Sequence, residues 1–363
     1  MAVAKRPVRR RPRQLPGDAG IGPSQDQDRW QQLLEGADSA PIPDKCLKAV
    51  TDRFPMRINT YFRSLITSAD DPLGRQVIPD PVELADMEGP ADPLAEESQS
   101  PVPQVIHRYP HRVAFLVSNQ CAVYCRFCMR KRRVADPLQV TNAQIESGLT
   151  YIRSQPDINE VILTGGDPLM LADERLLAIV EALRRIDHVR IVRIHSRIPV
   201  ALPQRIQPPL VNALAHHHPL FINIHVNHPD ELTPQAAAAC MLMADAGIAL
   251  GSQTVLLKGV NDDPDVLGCL MEKLLTVRVR PYYVHQLDRV PGTAHFQVPL
   301  EKSIRLINAL RGTISGMAVP HLMVDLPQGG GKVALTAGAV VKKNPGQWQI
   351  RNWQGKVFNY PVR

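Results

Sequence analysis

The chain has 363 residues, 44% of them hydrophobic, and a formal net charge of +7 from 42 Lys and Arg against 35 Asp and Glu. This is enough for one large domain or two ordinary ones with a sizeable core, and no apolar run reaches the ~18 residues of a membrane span. Six of the positive charges (Lys5, Arg6, Arg9, Arg10, Arg11 and Arg13) fall within "MAVAKRPVRRRPRQ", which lacks the apolar core of a secretory signal, so a cytoplasmic protein is expected and the rest of the chain is close to neutral. The pI of 9.2 therefore argues only weakly for nucleic acid.

In chain order, residues 1–26 read as a disordered basic arm. Residues 27–105 read as a helical and extended wrapping region, with helical patterns at "DRWQQLLEG" and "DKCLKAVTDRF". From Ala69 to Gln104 this region is acidic and proline-studded, which predicts extended chain rather than helix or central strand. Within 106–318, aliphatic runs ("VAFLVS", "EVILTG", "VRIVRIHS", "LFINIHV", "IALGSQTVLL", "VRPYYVHQ") alternate with helical stretches. Six strand–helix units in a row predict an α/β fold, a partial, open parallel (β/α)6 barrel with right-handed crossovers and its site at the C-terminal strand ends. Residues 319–363 form a C-terminal extension.

The stretch "CAVYCRFCMRKRR", residues 121–133, follows the first barrel strand and presents Cys121, Cys125 and Cys128. Three thiolates on a [4Fe–4S] cluster leave one iron open. A structural zinc would need a fourth ligand, normally from a second close-spaced pair, and no such pair follows. Cys46, Cys240 and Cys269 stand alone in helix-like contexts and read as small buried hydrophobes. "LTGGDPL" ends the second strand. Gly165 and Gly166 there allow close backbone approach, and their amides can hold a carboxylate or amine, unless they serve only a tight turn. "DLPQGGGK" sets Lys332 behind three glycines; it is no P-loop, because Leu326 stands where the first glycine is needed and Val333 follows the lysine. Alone it would read as a surface loop. His216, His217 and His218 read as cations at a helix C-terminus.

The CxxxCxxC spacing with Phe127 before its last cysteine resembles the radical S-adenosylmethionine superfamily. The resemblance implies that the open iron chelates S-adenosylmethionine, whose cleavage yields a 5′-deoxyadenosyl radical, and that Gly165, Gly166 and Asp167 contact its methionine part. "SPVPQVIHRYPHRV", "CRFCMRKR", "LTGGDPL", "NHPDELT", "SQTVLLKGVND", "RVRPYYVHQLD" and "VDLPQGGGK", in that order, resemble the lysine 2,3-aminomutase family from about Asp28 to the C-terminus.

That resemblance implies pyridoxal 5′-phosphate held by Lys332 as a Schiff base, a role suited to a lysine amine. It implies Arg108, Arg112 and Gln253 at the phosphate, Arg130 at the substrate α-carboxylate, and Asp288 and Asp325 at the ε-ammonium. His225 matches a histidine near S-adenosylmethionine or is a satisfied core histidine. Arg126, Lys131, Arg132 and Arg133 either balance the cluster charge or are solvated. The implied activity is an isomerase converting L-lysine to β-lysine, with a reductant such as flavodoxin or ferredoxin and a homo-oligomeric assembly. The last cysteine is Cys269, so the zinc site of longer relatives is not expected. The alternatives are a branch making β-lysine for elongation factor P, an RNA-modifying radical enzyme, and an iron–sulfur electron carrier lacking the lysine site.

Overall fold

Alternation along the strands builds the architecture. In "IVRIHS" (Ile191–Ser196), Val192, Ile194 and Ser196 are buried on one face while Arg193 and His195 turn to the other, as a two-residue side-chain period requires. Repeated from strand to strand, this sets an apolar row against an outer layer of helices and leaves a largely polar row facing inward. The inside of this sheet is therefore a cavity rather than a filled core.

The computed structural model describes residues 45–86, 88–134, 139–335, 339–352 and 354–362. The basic arm, the "DRWQQLLEG" helix and the side chain of Cys46 lie outside the described residues. The nine-stranded sheet runs in strict sequence order: β1 (Val105–Tyr109), β2 (Arg112–Ser118), β3 (Glu160–Gly165), β4 (Ile191–Ser196), β5 (Leu220–His225), β6 (Ala249–Val255), β7 (Arg280–His285), β8 (His321–Leu326) and β9 (Gly331–Ala334). Strands β2 to β8 are parallel, and β1 and β9 cap the two edges antiparallel. The six expected strand–helix units are present, and β8 follows them as a seventh parallel strand. One seam stays open between β1 and β9, where the Lys332 N–H donates to Tyr109 Oη at 2.7 Å. The barrel is nearly closed.

The six crossover helices are α1 (Asn142–Ser154), α2 (Asp173–Arg184), α3 (Pro208–Ala215), α4 (Pro234–Asp245), α5 (Pro264–Thr276) and α6 (Leu300–Leu310). Helix α1 begins in a capping box between Thr141 and Gln144. Helix α6 buries Leu300, Ser303, Leu306, Ile307 and Leu310, one face at helical spacing. Cys240 is buried as expected, but Cys269 is exposed, because α5 turns Leu267, Leu270, Met271 and Leu274 inward instead. The C-terminal chain adds a small antiparallel sheet of β10 (Val340–Asn344), β11 (Gln347–Arg351) and β12 (Val357–Pro361).

The proline-rich region corrects the extended reading: it makes single helical turns at Gly74–Val77, Val82–Ala85 and Glu97–Gln99. Proline forbids longer helices but tolerates their starts, as Pro81 does before Val82. Ile58, Phe62, Leu73 and Val77 pack with Val123 of the cysteine loop. Among the described residues no helix is long and apolar enough to cross a membrane.

Candidate active site

At the C-terminal ends of the parallel strands the sheet encloses a cavity of about 330 Å³. Cys121, Cys125 and Cys128 line it, as do Lys332, Arg130, Asp288 and Asp325, so one space gathers residues separated by more than 200 positions in the chain. Arg108, Arg112, Gln253, Gly165, Gly166, Asp167 and His225 line it too.

The cysteine loop is held by backbone bonds to the N-terminal region: Tyr124 N–H to Arg57 O at 2.9 Å and Arg126 N–H to Gln76 O at 2.9 Å. Burial first, and then the neighbouring acid and thiol groups, raise the Cys121 thiol well above its ordinary range; burial and Cys125 push Cys128 up to about 11. A bound metal would take such thiols as thiolates. Arg197, which sequence reasoning missed, donates from Nη1 to Cys125 Sγ at 2.8 Å. Its Nη2 is fixed by Gln76 Oε1 at 2.6 Å and Glu231 Oε2 at 2.9 Å. An arginine directly beyond the end of β4 was the available signal.

Three of the remaining cations of the loop, Arg126, Lys131 and Arg132, are paired with carboxylates rather than simply solvated. Arg126 forms a two-pronged pair with buried Glu83, with both contacts at 2.8 Å, and Lys131 reaches the same carboxylate at 3.3 Å. Arg132 pairs with Asp92 at 2.9 Å, Glu97 at 3.1 Å and Glu96 at 3.3 Å. Arg133 lies 3.9 Å from Glu97. The acidic wrapping segment thus supplies counter-charge to the cysteine loop.

Gly165 has φ +126°, and a Cβ there would fall 2.2 Å from Ser118 O, so only glycine lets β3 end this close to the start of the loop. The expectation that these glycine amides hold a ligand is corrected for Gly166, and the neighbouring Asp167 amide is taken up as well. Gly166 N–H donates to Ser118 O at 2.6 Å and Asp167 N–H to Gln120 O at 2.7 Å. The Asp167 carboxylate is spoken for as well, accepting from Leu169 N at 3.0 Å, Ser196 Oγ at 2.8 Å and Arg197 N at 2.7 Å. Burial, partly offset by these bonds, lifts it to about 6. It ties β3 to β4 beneath Arg197. His225 is lowered to about 3, chiefly by burial and then by the charge of Arg197. Its buried Nε2 has no partner, which sets it apart from a satisfied core histidine. His217 is held below the ordinary histidine value, mainly by desolvation.

At the other wall, β8 and β9 place Asp325 directly opposite Lys332. Lys332 Nζ meets Asp325 Oδ2 at 2.5 Å, while buried Asp325 Oδ1 has no hydrogen-bond partner and lies 3.9 Å from Arg108 Nη1. Desolvation opposes ionisation of Asp325, but Lys332 and His285 outweigh it and hold the carboxyl well below its usual range. Asp288 responds oppositely: burial, and then the charge of Asp325, push it up to about 8. The ligand-free pair thus carries one negative charge at neutral pH. Arg112 stacks 4.2 Å from the Tyr109 ring centroid and has no carboxylate partner among the described residues. Arg130 donates to Glu96 at 2.7 Å and to Thr164 Oγ1 at 3.1 Å.

Comparison with known proteins matches residues 115–267 to the Radical SAM superfamily and residues 307–362 to the family described as lysine-2,3-aminomutase. A curated L-lysine 2,3-aminomutase of Acetoanaerobium sticklandii is 42% identical over 337 residues, 91% of this chain and 81% of that one. The Clostridium subterminale protein of the same name is 44% identical, over 87% of this chain and 76% of its own. The chain belongs to the lysine 2,3-aminomutase family. The chain is also similar to a glutamate 2,3-aminomutase of Clostridioides difficile, 40% identical over 86% of this chain and 75% of its own.

Membership implies a [4Fe–4S] cluster, S-adenosylmethionine and pyridoxal 5′-phosphate, and the residues present suit all three. Three thiols line the cavity, those of Cys121 and Cys128 raised by burial and by neighbouring thiols, and Arg197 donates to the third, Cys125. Unpartnered His225 Nε2 lines the same cavity. Arg112, without a carboxylate, and Lys332 complete a setting for a phosphate and an aldehyde.

Proposed function

We propose that this protein moves the α-amino group of L-lysine to C3, giving β-lysine. Lysine and glutamate aminomutases are similarly close to this chain, so the choice rests on the far end of the cavity. The observation that carries it is the buried Asp325 Oδ1, an acceptor without a donor, beside Asp288. A terminal ammonium satisfies that oxygen; a terminal carboxylate would add a like charge in a desolvated place.

In this reading Cys121, Cys125 and Cys128 hold the cluster, and His225 faces S-adenosylmethionine. Lys332 carries pyridoxal phosphate, whose phosphate lies at Arg108, Arg112 and Gln253. When bound, the first pair would supply the carbon-radical chemistry for hydrogen abstraction at C3, and pyridoxal phosphate would supply the carbonyl for the migrating nitrogen. The chain's own contribution is position. Arg130 holds the α-carboxylate and the two aspartates hold the ε-ammonium, so both ends of the substrate are fixed and C3 has one place to be. Asp288, neutral in the ligand-free protein, loses its carboxyl proton as the ammonium arrives, because a cation favours its charged form. Neutral His225 brings no positive charge near the sulfonium of S-adenosylmethionine. The reading also calls for a one-electron protein donor of the flavodoxin or ferredoxin kind, a cytoplasmic setting and a homo-oligomer.

The test is an anaerobic assay of the reconstituted protein with L-lysine and L-glutamate in competition. Lysine is expected to be consumed and β-lysine formed; preferential turnover of glutamate overturns the assignment.

A further inference from the structure

The acidic segment Asp92–Gln99 makes contacts that neither a wrapping role nor charge balance requires. Ala95 adopts φ +51°, a left-handed conformation costly for a residue with a side chain. The next residue, Glu96, has its side chain buried at 3% exposure against Arg130. Its Oε1 accepts from Arg130 Nη2 at 2.7 Å, and both carboxylate oxygens lie 3.1 Å from Nε. Arg130 Nη1 donates to Thr164 Oγ1 at 3.1 Å. A guanidinium has five N–H donors. Glu96 and Thr164 take one each on Nε, Nη2 and Nη1. One N–H on each terminal nitrogen is thereby left over, at a side chain that lines the cavity. Two parallel N–H groups are what a carboxylate accepts.

The same segment holds a second cavity arginine. Leu94 O accepts from Arg108 Nη2 at 2.9 Å, and Gln99 Oε1 accepts from Arg108 Nε at 2.7 Å. Gln99 in turn packs against the glycine stretch before Lys332: a Cβ on Gly329 would fall 2.5 Å from Gln99 Nε2.

We infer that Glu96 is a positioning residue for recognition of the amino-acid carboxylate: it occupies the Nε edge of Arg130 and thereby turns the terminal edge to the substrate. The inference rests on the reading above that Arg130 receives that carboxylate. Glu96 is not displaced by substrate. Its carboxylate remains buried between Arg130 and Arg132, and burial opposed by the charges of Arg130, Arg132 and Arg108 leaves it ionised, held down at about 2. Without its charge, Arg130 would swing toward other acceptors, and carboxylate binding would weaken while ammonium binding would not.

The experiment compares equilibrium binding of L-lysine and L-lysine amide to holoprotein carrying cluster and pyridoxal phosphate. S-adenosylmethionine is withheld so that no turnover occurs, and wild type is measured beside Glu96→Gln, Glu96→Ala and Arg130→Met. Glu96→Gln is expected to weaken L-lysine binding about 10- to 100-fold and lysine amide less than about 3-fold, with Tm and iron content near wild type. Arg130→Met should abolish the preference for lysine over its amide. If Arg130→Met does so and Glu96→Gln keeps the preference, the positioning role is overturned. Equal weakening of both ligands by Glu96→Gln overturns it too, leaving only a structural role. If Arg130→Met leaves the preference intact, the reading of Arg130 as carboxylate site falls instead. Should Glu96→Ala fail to fold, the near-isosteric glutamine variant decides alone.

Discussion

Replacing Glu83 with Gln tests whether the cysteine loop is held by a buried charge pair. Arg126 is the largest fully buried side chain among the described residues, and Glu83 is fully buried. Two of the five guanidinium N–H groups go to Glu83, and two more go to Phe54 O at 3.1 Å and Pro55 O at 3.0 Å. Lys131, at 14% exposure, shares the same carboxylate. The glutamine keeps shape and one acceptor oxygen but leaves two buried cations against no charge. Breaking one buried pair costs about 3–5 kcal/mol. With a second cation stranded, the expected loss lies at the upper end, near ~5 kcal/mol. Because Arg126 sits between Cys125 and Cys128, the same variant should retain less iron after reconstitution. Anaerobic urea unfolding gives the first quantity and iron per chain the second. In a double-mutant cycle with Arg126→Met, the two changes should be less than additive by ~2 kcal/mol or more. A Glu83→Gln protein within ~1 kcal/mol of wild type, with full iron, would refute the reasoning.

Lys332→Ala should abolish borohydride fixation of pyridoxal phosphate to the protein while iron content stays at the wild-type value; undiminished fixation would assign the carrier elsewhere. Asp325→Asn should lower kcat/KM for lysine by about 2–5 kcal/mol, since it takes the charge from one partner of a desolvated contact; a near-normal rate would sink the ammonium assignment. The Asp288 carboxyl sits near 8 in the folded protein against 3.8 ordinarily, so the stability it contributes is complete below pH 4 and is lost as pH rises through 8. Asp288→Asn should flatten the stability profile across that window. Lysine binding at pH 7 should release close to one proton from wild type and none from the variant, measured by calorimetry in buffers of different ionisation heat.

Much of the barrel was legible because its signal is local. A two-residue alternation such as "IVRIHS" reports which side chains face helices and which face the cavity wherever the strand ends up. Strand β8 was harder to place: "HLMVDL" is buried at five of its six positions and shows no alternation. The turns in the proline-rich segment are too short for a helical period to appear. Arg197 and Glu96 left no motif because each matters through a contact made across the fold, to Cys125 72 positions away and to Arg130 34 positions away.

By itself the sequence determined what depends on neighbours in the chain: three thiols at a spacing that suits a cluster, a lysine behind three glycines, and a run of six strand–helix units. Covalent spacing sets these, and no other part of the chain can alter them. Only the tertiary structure decided which charges meet. Asp325 was expected beside a substrate ammonium and is found across the β8–β9 ladder from Lys332, with one oxygen free. Of the loop cations expected to be solvated or to balance a cluster, Arg126, Lys131 and Arg132 are neutralised by Glu83, Asp92, Glu96 and Glu97. Coulomb attraction decays with distance through space and is indifferent to distance along the chain. Which of these side chains pair therefore follows from where the folded chain brings them together.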